Sequence, residues 1–192
     1  GSFNCFMVYS LPKDCAATDG NGNPTPFLAG KGWGQYLNVS KQFYDTYEEN
    51  DLRKASVITS YYSTNYKSMV TSDDIGSKWS GFILNKYPIE VNSQYQPGNI
   101  PLARWADVLL MYAEADVRKS NSVTSSAINC VNQVRHRAGL GDLPNSATSS
   151  VAAFMDALIT ERGHELLFEG CRKIDLIRFN RYYTTMSAFG ES

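Results

Sequence analysis

Arg104-Trp-Ala-Asp-Val-Leu-Leu-Met-Tyr-Ala-Glu-Ala115 and Glu161-Arg-Gly-His-Glu-Leu-Leu-Phe-Glu-Gly-Cys-Arg-Lys-Ile-Asp-Leu-Ile-Arg178 decide the fold. Both place apolar residues at helical spacing and carry charges where a core belongs. With Arg104 at zero on a wheel of about 100° per residue, Asp107, Glu114 and Arg118 fall within roughly 80° of one another. The rest, from Leu102 through Trp105, Val108, Leu109, Leu110 and Tyr112, is apolar around most of the girth, and such a helix is normally buried. Trp105 is therefore expected in the core. On the later helix Phe154, Met155, Leu158, Ile159 and Leu166 define an apolar face. Arg162 and Glu165 project onto that face, Glu161 sits at its edge, and His164 points away from it. Buried ions need partners, because breaking such a pair costs about 3–5 kcal/mol. The expected network joins Arg104, Asp107, Glu161, Arg162, Glu165 and Arg172, with Asp175 and Arg178 as extensions. Every acid has a permanently charged arginine at hand to hold it ionised. That favours a structural clamp over an acid–base site built from paired carboxylates.

Working outward, the sequence predicts four helices. The first runs from about Pro101, in the first turn, to about Lys119. The second runs from about Val123 to Ala138, where Gly139 suits the left-handed stop and Leu140 the accompanying apolar contact. The third starts after Ser149 or Ser150 as N-cap and runs to about Phe168. Gly170 interrupts it, and the fourth runs from about Cys171 to Tyr182. Short turns pair them as antiparallel hairpins, and two successive pairs are the minimum of a tetratricopeptide-like stack. The expected fold is mostly α: helical hairpins in an α–α superhelix, with a loop-rich segment and a short β-hairpin. Residues 1–100 form the loop-rich segment, with one helix from about Val39 to Glu49. Ser56–Tyr62 and Phe82–Tyr87 read as short strands, set as a hairpin with a long tip. Residues 101–192 hold the helical hairpins, and the two parts are expected to form one structural domain.

Composition excludes several classes. The 192 residues carry 18 basic and 19 acidic side chains, a net charge of −1. No electrostatic attraction to nucleic acid or to an anionic membrane follows. No stretch is long and apolar enough to span a bilayer. The cysteines, Cys5, Cys15, Cys130 and Cys171, include no C-x-x-C pair, which argues against structural zinc. Spacing leaves a Cys5–Cys15 bridge undecided, and Cys130 and Cys171 sit in helical patterns as small apolar groups. Glu161-x-x-His164 has the spacing of di-iron bundles, which need a second such motif. The other histidine, His136, follows Gln133 and supplies none. Nucleophile elbows, phosphate loops and dinucleotide fingerprints are absent. No metal, cofactor or catalytic residue is expected.

The order and spacing of these segments resemble the SusD/RagB family of outer-membrane nutrient-binding lipoproteins. The resemblance rests on Arg104 to Ala115, on Val131-Asn-Gln-Val-Arg-His-Arg-Ala-Gly-Leu140 and on Glu161 to Arg178. Upstream, Val39 to Arg53 resembles the family's helix that ends in a D-x-R turn. Family members are considerably longer and begin with a lipid-modified cysteine. Nothing before Cys5 resembles a lipobox, and the chain reads as an internal or C-terminal-half fragment. The resemblance implies a non-catalytic glycan-binding protein on the surface of the outer membrane of Bacteroidetes-type bacteria. Its implied partners are a glycan and a SusC-like TonB-dependent transporter, with membrane contact only through an N-terminal lipid anchor that this chain does not carry. Peptide or glycopeptide capture within the same family, a helical scaffold for a protein partner, and a helical enzyme using Glu161 and Glu165 remain the alternatives.

Sugars present apolar C–H faces ringed by hydroxyls, which aromatic planes and amide side chains match. Candidates lie in the loop-rich segment. Trp33 and Tyr36 flank Gly34, with Gln35 and Asn38 beside them. Trp79 stands in a polar stretch, and Tyr66 belongs to a cluster with Tyr61 and Tyr62.

Overall fold

The computed structural model describes residues 7–25, 32, 34, 37–71, 74, 81–87, 98–99 and 101–190. These residues group into two compact units. One comprises the described parts of Gly1–Glu48 and Lys54–Ile100, the other those of Glu49–Arg53 and Pro101–Ser192. The fold is helix-rich with a small β component. No helix among the described residues is long and apolar enough to cross a membrane.

The helical unit is built on α2 (Trp105–Ser120), α3 (Ser125–Arg137), a short α4 (Asn145–Thr148), α5 (Val151–Glu165), α6 (Arg172–Arg178) and α7 (Tyr182–Gly190). Local chemistry sets most of the ends. The Thr124 hydroxyl accepts the Ala127 N–H at 3.0 Å, and the Ser150 hydroxyl accepts the Ala153 N–H at 3.1 Å. Each satisfies an amide that has no partner inside its helix. Helix α3 ends in a left-handed Gly139, φ +80°. There the Leu140 N–H reaches the Arg135 carbonyl and the Gly139 N–H reaches that of His136, both at 3.0 Å. That double closure is the Schellman stop, and a Cβ on Gly139 would also come within 2.9 Å of the Leu52 side chain. Pro101 lies outside α2, whose N-cap is the extended Arg104. The predicted fourth helix is shorter than expected: α6 ends at Arg178 with Phe179 as its C-cap, Asn180 takes φ +56°, and α7 begins only where the predicted helix stops.

Helix α2 packs on α3 and α5. Leu110, Ala113 and Val117 meet Ala127, Val131 and Val134 of α3 and Phe154 and Leu158 of α5 in one core. Burying a residue such as Phe154 contributes about 1.5–3 kcal/mol. The Asn132 carboxamide accepts the Leu143 N–H at 2.9 Å, so the chain leaving α3 is pinned to it.

The expectation for Trp105 is overturned. It is 70% exposed, and Val108, Met111 and Tyr112 are exposed with it. The side of α2 bearing Ala106, Leu110, Ala113 and Val117 is the one buried in the core, so an apolar girth does not here mean burial all round.

The other unit holds a short helix α1 (Lys41–Tyr44) and five strands: β1 (Asn38–Val39), β2 (Val57–Ile58), β3 (Ser60–Ser63), β4 (Ser68–Thr71) and β5 (Phe82–Leu84). The long helix predicted from Val39 to Glu49 is confined to α1. Ser40 caps it at one end, and the Thr46 hydroxyl bonds the Phe43 carbonyl at 2.6 Å at the other. β5 lies between β1 and β2, antiparallel to both, with Asn38 and Ile58 opposite Ile83. β3 and β4 form a separate hairpin, pairing Tyr61 with Val70 and Tyr62 with Met69.

Candidate functional site

The last turn of α5 is buried all the way round: Glu161, Arg162, Gly163, His164 and Glu165. Around it the helical unit gathers its charges. Glu165 accepts from Arg53 Nη1 at 3.2 Å, from Arg104 Nη1 at 2.9 Å and from Arg137 Nη2. Arg104 also donates to the Glu165 carbonyl at 2.9 Å and clamps Glu169 through Nε and Nη2 at 2.9 and 2.8 Å. That bidentate geometry is what a guanidinium offers and an ammonium cannot. Glu161 accepts from Arg53 at 2.6 Å and from Arg135 at 3.5 Å. Arg53 is itself aimed by Asp51, which takes its backbone N–H at 2.9 Å and its Nη2 at 2.7 Å.

Arg162 turns to another side of the helix. Its Nε meets Asp175 and its Nη1 meets Asp107, both at 2.9 Å. From Asp175 the chain of ions continues through Arg178 at 2.8 Å to Glu114, which also accepts from Arg118 at 2.8 Å. Arg172 donates to the Ile159 carbonyl at 2.9 Å. Five of the six residues named from sequence thus lie in carboxylate–guanidinium contacts that tie α2, α5 and α6, and Arg172 ties α6 to the α5 backbone. Asp51, Arg53, Arg135, Arg137, Glu169 and Glu114 were not named in the network. Their signal was present: Asp51-x-Arg53, Arg135-x-Arg137 and Glu169 stand inside the quoted motifs, but a wheel of one helix cannot show partners from another segment.

An open groove of about 430 Å³ runs along Met111, Ala115 and Ile174. The carboxylates on its wall, Glu114 and Asp175, each accept from two arginines. Burial pushes the Glu161 carboxyl up, against the pull of Arg53 and Arg135. Asp51, against the opposing effect of burial, is held below its ordinary value by the hydrogen bonds of Arg53. His164 is buried with the rest of that turn. Burial and then the charge of Arg53 hold the imidazole down to about 4 against the opposing charge of Asp51, with Arg172 and Arg135 adding to the depression. No group of three or more potential metal ligands occurs among the described residues.

The sequence-predicted ligand residues belong to the other unit. Trp33, Gln35, Tyr36 and Trp79 lie outside the described residues, as does Cys5. Asn38 is half-buried on β1, opposite Ile83. Tyr66 stands 55% exposed in the turn between β3 and β4, and its N–H bonds the Ser63 hydroxyl at 3.2 Å. Asn38 and Tyr66 thus stand on separate sheets.

The chain thus combines a helical unit braced by interhelical ions with a small β-containing unit. The sequence model of the SusD family matches residues 14–191, and the chain belongs to that family. A SusD-like protein of Formosa agariphila is 33% identical over 160 residues, which cover 79% of this chain and 30% of that protein. Among solved structures, surface glycan-binding protein A from Bacteroides uniformis superposes with a TM-score of 0.62 at 27% identity, over 89% of this chain and 35% of its own. A SusD superfamily protein from Parabacteroides distasonis gives a TM-score of 0.64 at 22% identity, over 94% of this chain and 36% of its own. The chain spans roughly a third of the length of these relatives. Members of the family are non-catalytic binding proteins.

Proposed function

We propose that this chain is part of a cell-surface glycan-binding protein that hands oligosaccharides to a SusC-like TonB-dependent transporter in the outer membrane. The observation that carries this reading is family membership across residues 14–191, joined to 27% identity with a surface glycan-binding protein over most of the chain. The ion hub supports it from the other side: its acids are held by arginines, so the helical unit reads as scaffold. In this reading α2–α3 and α5–α6 are successive hairpins of a tetratricopeptide-like superhelix. The glycan is met by the loop-rich unit, through Trp33, Gln35, Tyr36, Asn38, Trp79 and Tyr66.

Affinity electrophoresis of the chain through gels containing neutral polysaccharides tests the reading. Retardation by at least one glycan is expected. Trp33→Ala should weaken it by about tenfold, or ~1.4 kcal/mol, with little change in melting temperature. Absence of retardation by every glycan, together with binding to a peptide library, would replace glycan capture with peptide capture.

A further inference from the structure

The two faces of the β3–β4 hairpin differ sharply. Tyr61, Ser63 and Val70 are buried on one side. The Asp14 carboxylate accepts from the Tyr61 hydroxyl at 2.8 Å and from the Ser63 hydroxyl, while its carbonyl takes the Thr64 N–H at 2.8 Å. Side chains alternate along a strand, so Ser60 and Tyr62 of β3 share the opposite face with their partners Thr71 and Met69 of β4. Met69 is 57% exposed there.

A second feature meets that face. The turn Asp19-Gly-Asn-Gly-Asn23 is locked by its own first residue. The Asp19 carboxylate accepts the Asn21 N–H at 2.8 Å, the Asn23 N–H at 2.9 Å and the Asn23 side-chain amide at 2.9 Å. At Gly20 the turn abuts Tyr62. A Cβ on Gly20 would lie 3.0 Å from the tyrosyl oxygen and 3.3 Å from a ring carbon. The glycine thus lets a rigid, amide-bearing turn seat against the edge of the ring, while Asn21 stays exposed beside it. Tyr62, Met69, Ser60, Thr71 and Asn21 carry no formal charge. A ring held at its edge, a thioether, two hydroxyls and a carboxamide fit a neutral ligand with an apolar face and many hydroxyls. The two carboxylates beside them are engaged locally, Asp19 by its own turn and Asp74 by the Thr71 hydroxyl at 2.8 Å, and both disfavour an anionic ligand.

Resting on the glycan-binding reading and deepening it, we propose that the outer face of the β3–β4 hairpin, with the Asp19–Asn23 turn, is a subsite for a neutral saccharide. The sugar stacks on Tyr62, and Asn21 reads its hydroxyls. Because the ring is already fixed by the turn, little side-chain freedom is lost on binding.

Calorimetric titration of the chain with maltohexaose, cellohexaose and laminarihexaose tests this, with melting temperature measured on each variant. Tyr62→Ala and Met69→Lys are each expected to lower affinity by about tenfold, while Tyr62→Phe keeps most of it. Gly20→Ala, which pushes the ring from its seat, should lower affinity by a smaller factor. If Tyr62→Ala fails to fold, Met69→Lys on the exposed face and Gly20→Ala carry the test. Affinity lost in Trp33→Ala but retained in Tyr62→Ala and Met69→Lys overturns the subsite and leaves the glycan reading standing. Binding by the wild-type chain to none of the saccharides overturns both.

Discussion

Helix α2 has two faces, and neither sorts cleanly by polarity: the inner one holds charge within its apolar stripe, the outer one large apolar side chains. Its inner side buries Glu114, and at the border Asp107 meets Arg162, which is itself buried. Its outer side shows Trp105, Val108, Met111 and Tyr112 to solvent. The difference teaches that a helix is placed by the partners available to each face. Charge is stable inside when a guanidinium from α5 or α6 closes on it. Apolar surface stays outside when no element of the unit lies opposite.

The sharpest way to break this contrast is to remove the cation that lets the inner side be charged. Arg162→Met leaves Asp107 and Asp175 without the donor they share. A loss of about 3–5 kcal/mol is expected, as for one partner taken from a buried pair, read from urea denaturation. Replacing Asp107 and Asp175 by leucine in the same chain should recover most of that loss, because all-apolar substitutes for a buried triad are often neutral or stabilising. Failure of the triple variant to recover would mean that the ions fix a geometry apolar packing cannot supply. Leu110→Ala, on the same inner side, sets the scale for an ordinary core deletion at about 2–5 kcal/mol.

Acid offers a smaller and more selective probe of the hub. His164 has a folded-state value of about 4, below its ordinary 6.5. Between these values the unfolded chain takes up a proton that the folded chain refuses, so stability falls as pH drops through that window. The full difference corresponds to about 3 kcal/mol. Glu161, raised by burial, works the other way: the folded chain takes up its proton at higher pH than the unfolded chain, which offsets part of the loss. His164→Gln should flatten the decline between about pH 6.5 and about pH 4, measured as urea midpoints across that range. An unchanged slope in the variant would place the acid sensitivity in the carboxylates alone.

Much of the helical unit could be read before any coordinates, because its stops are local chemistry. Gly139 ends α3 by conformation, and Ser150 starts α5 by a single hydrogen bond. What could not be read is non-local. Strand β4 has only Val70 buried, and its turn places Lys67 at φ +53° without a glycine to announce it. Arg53 is far along the chain from Glu161 and Glu165, which it bridges, and no periodicity links them. The side chains of α2 followed the wheel, but the wheel could not say which side would find neighbours.

That last point gives the mildest test, and the one that bears most directly on the outer face. Trp105 is large and apolar, so if it were a core residue its truncation would cost about 3–5 kcal/mol. At 70% exposure it has little buried area to lose. Trp105→Gln is therefore expected to shift stability by no more than about 0.5 kcal/mol, an order of magnitude below the Arg162 effect. Urea midpoints of the two variants, measured side by side, decide it. A Trp105→Gln loss comparable with that of Leu110→Ala would mean that the outer side of α2 is covered in solution, and the contrast between the two faces would vanish.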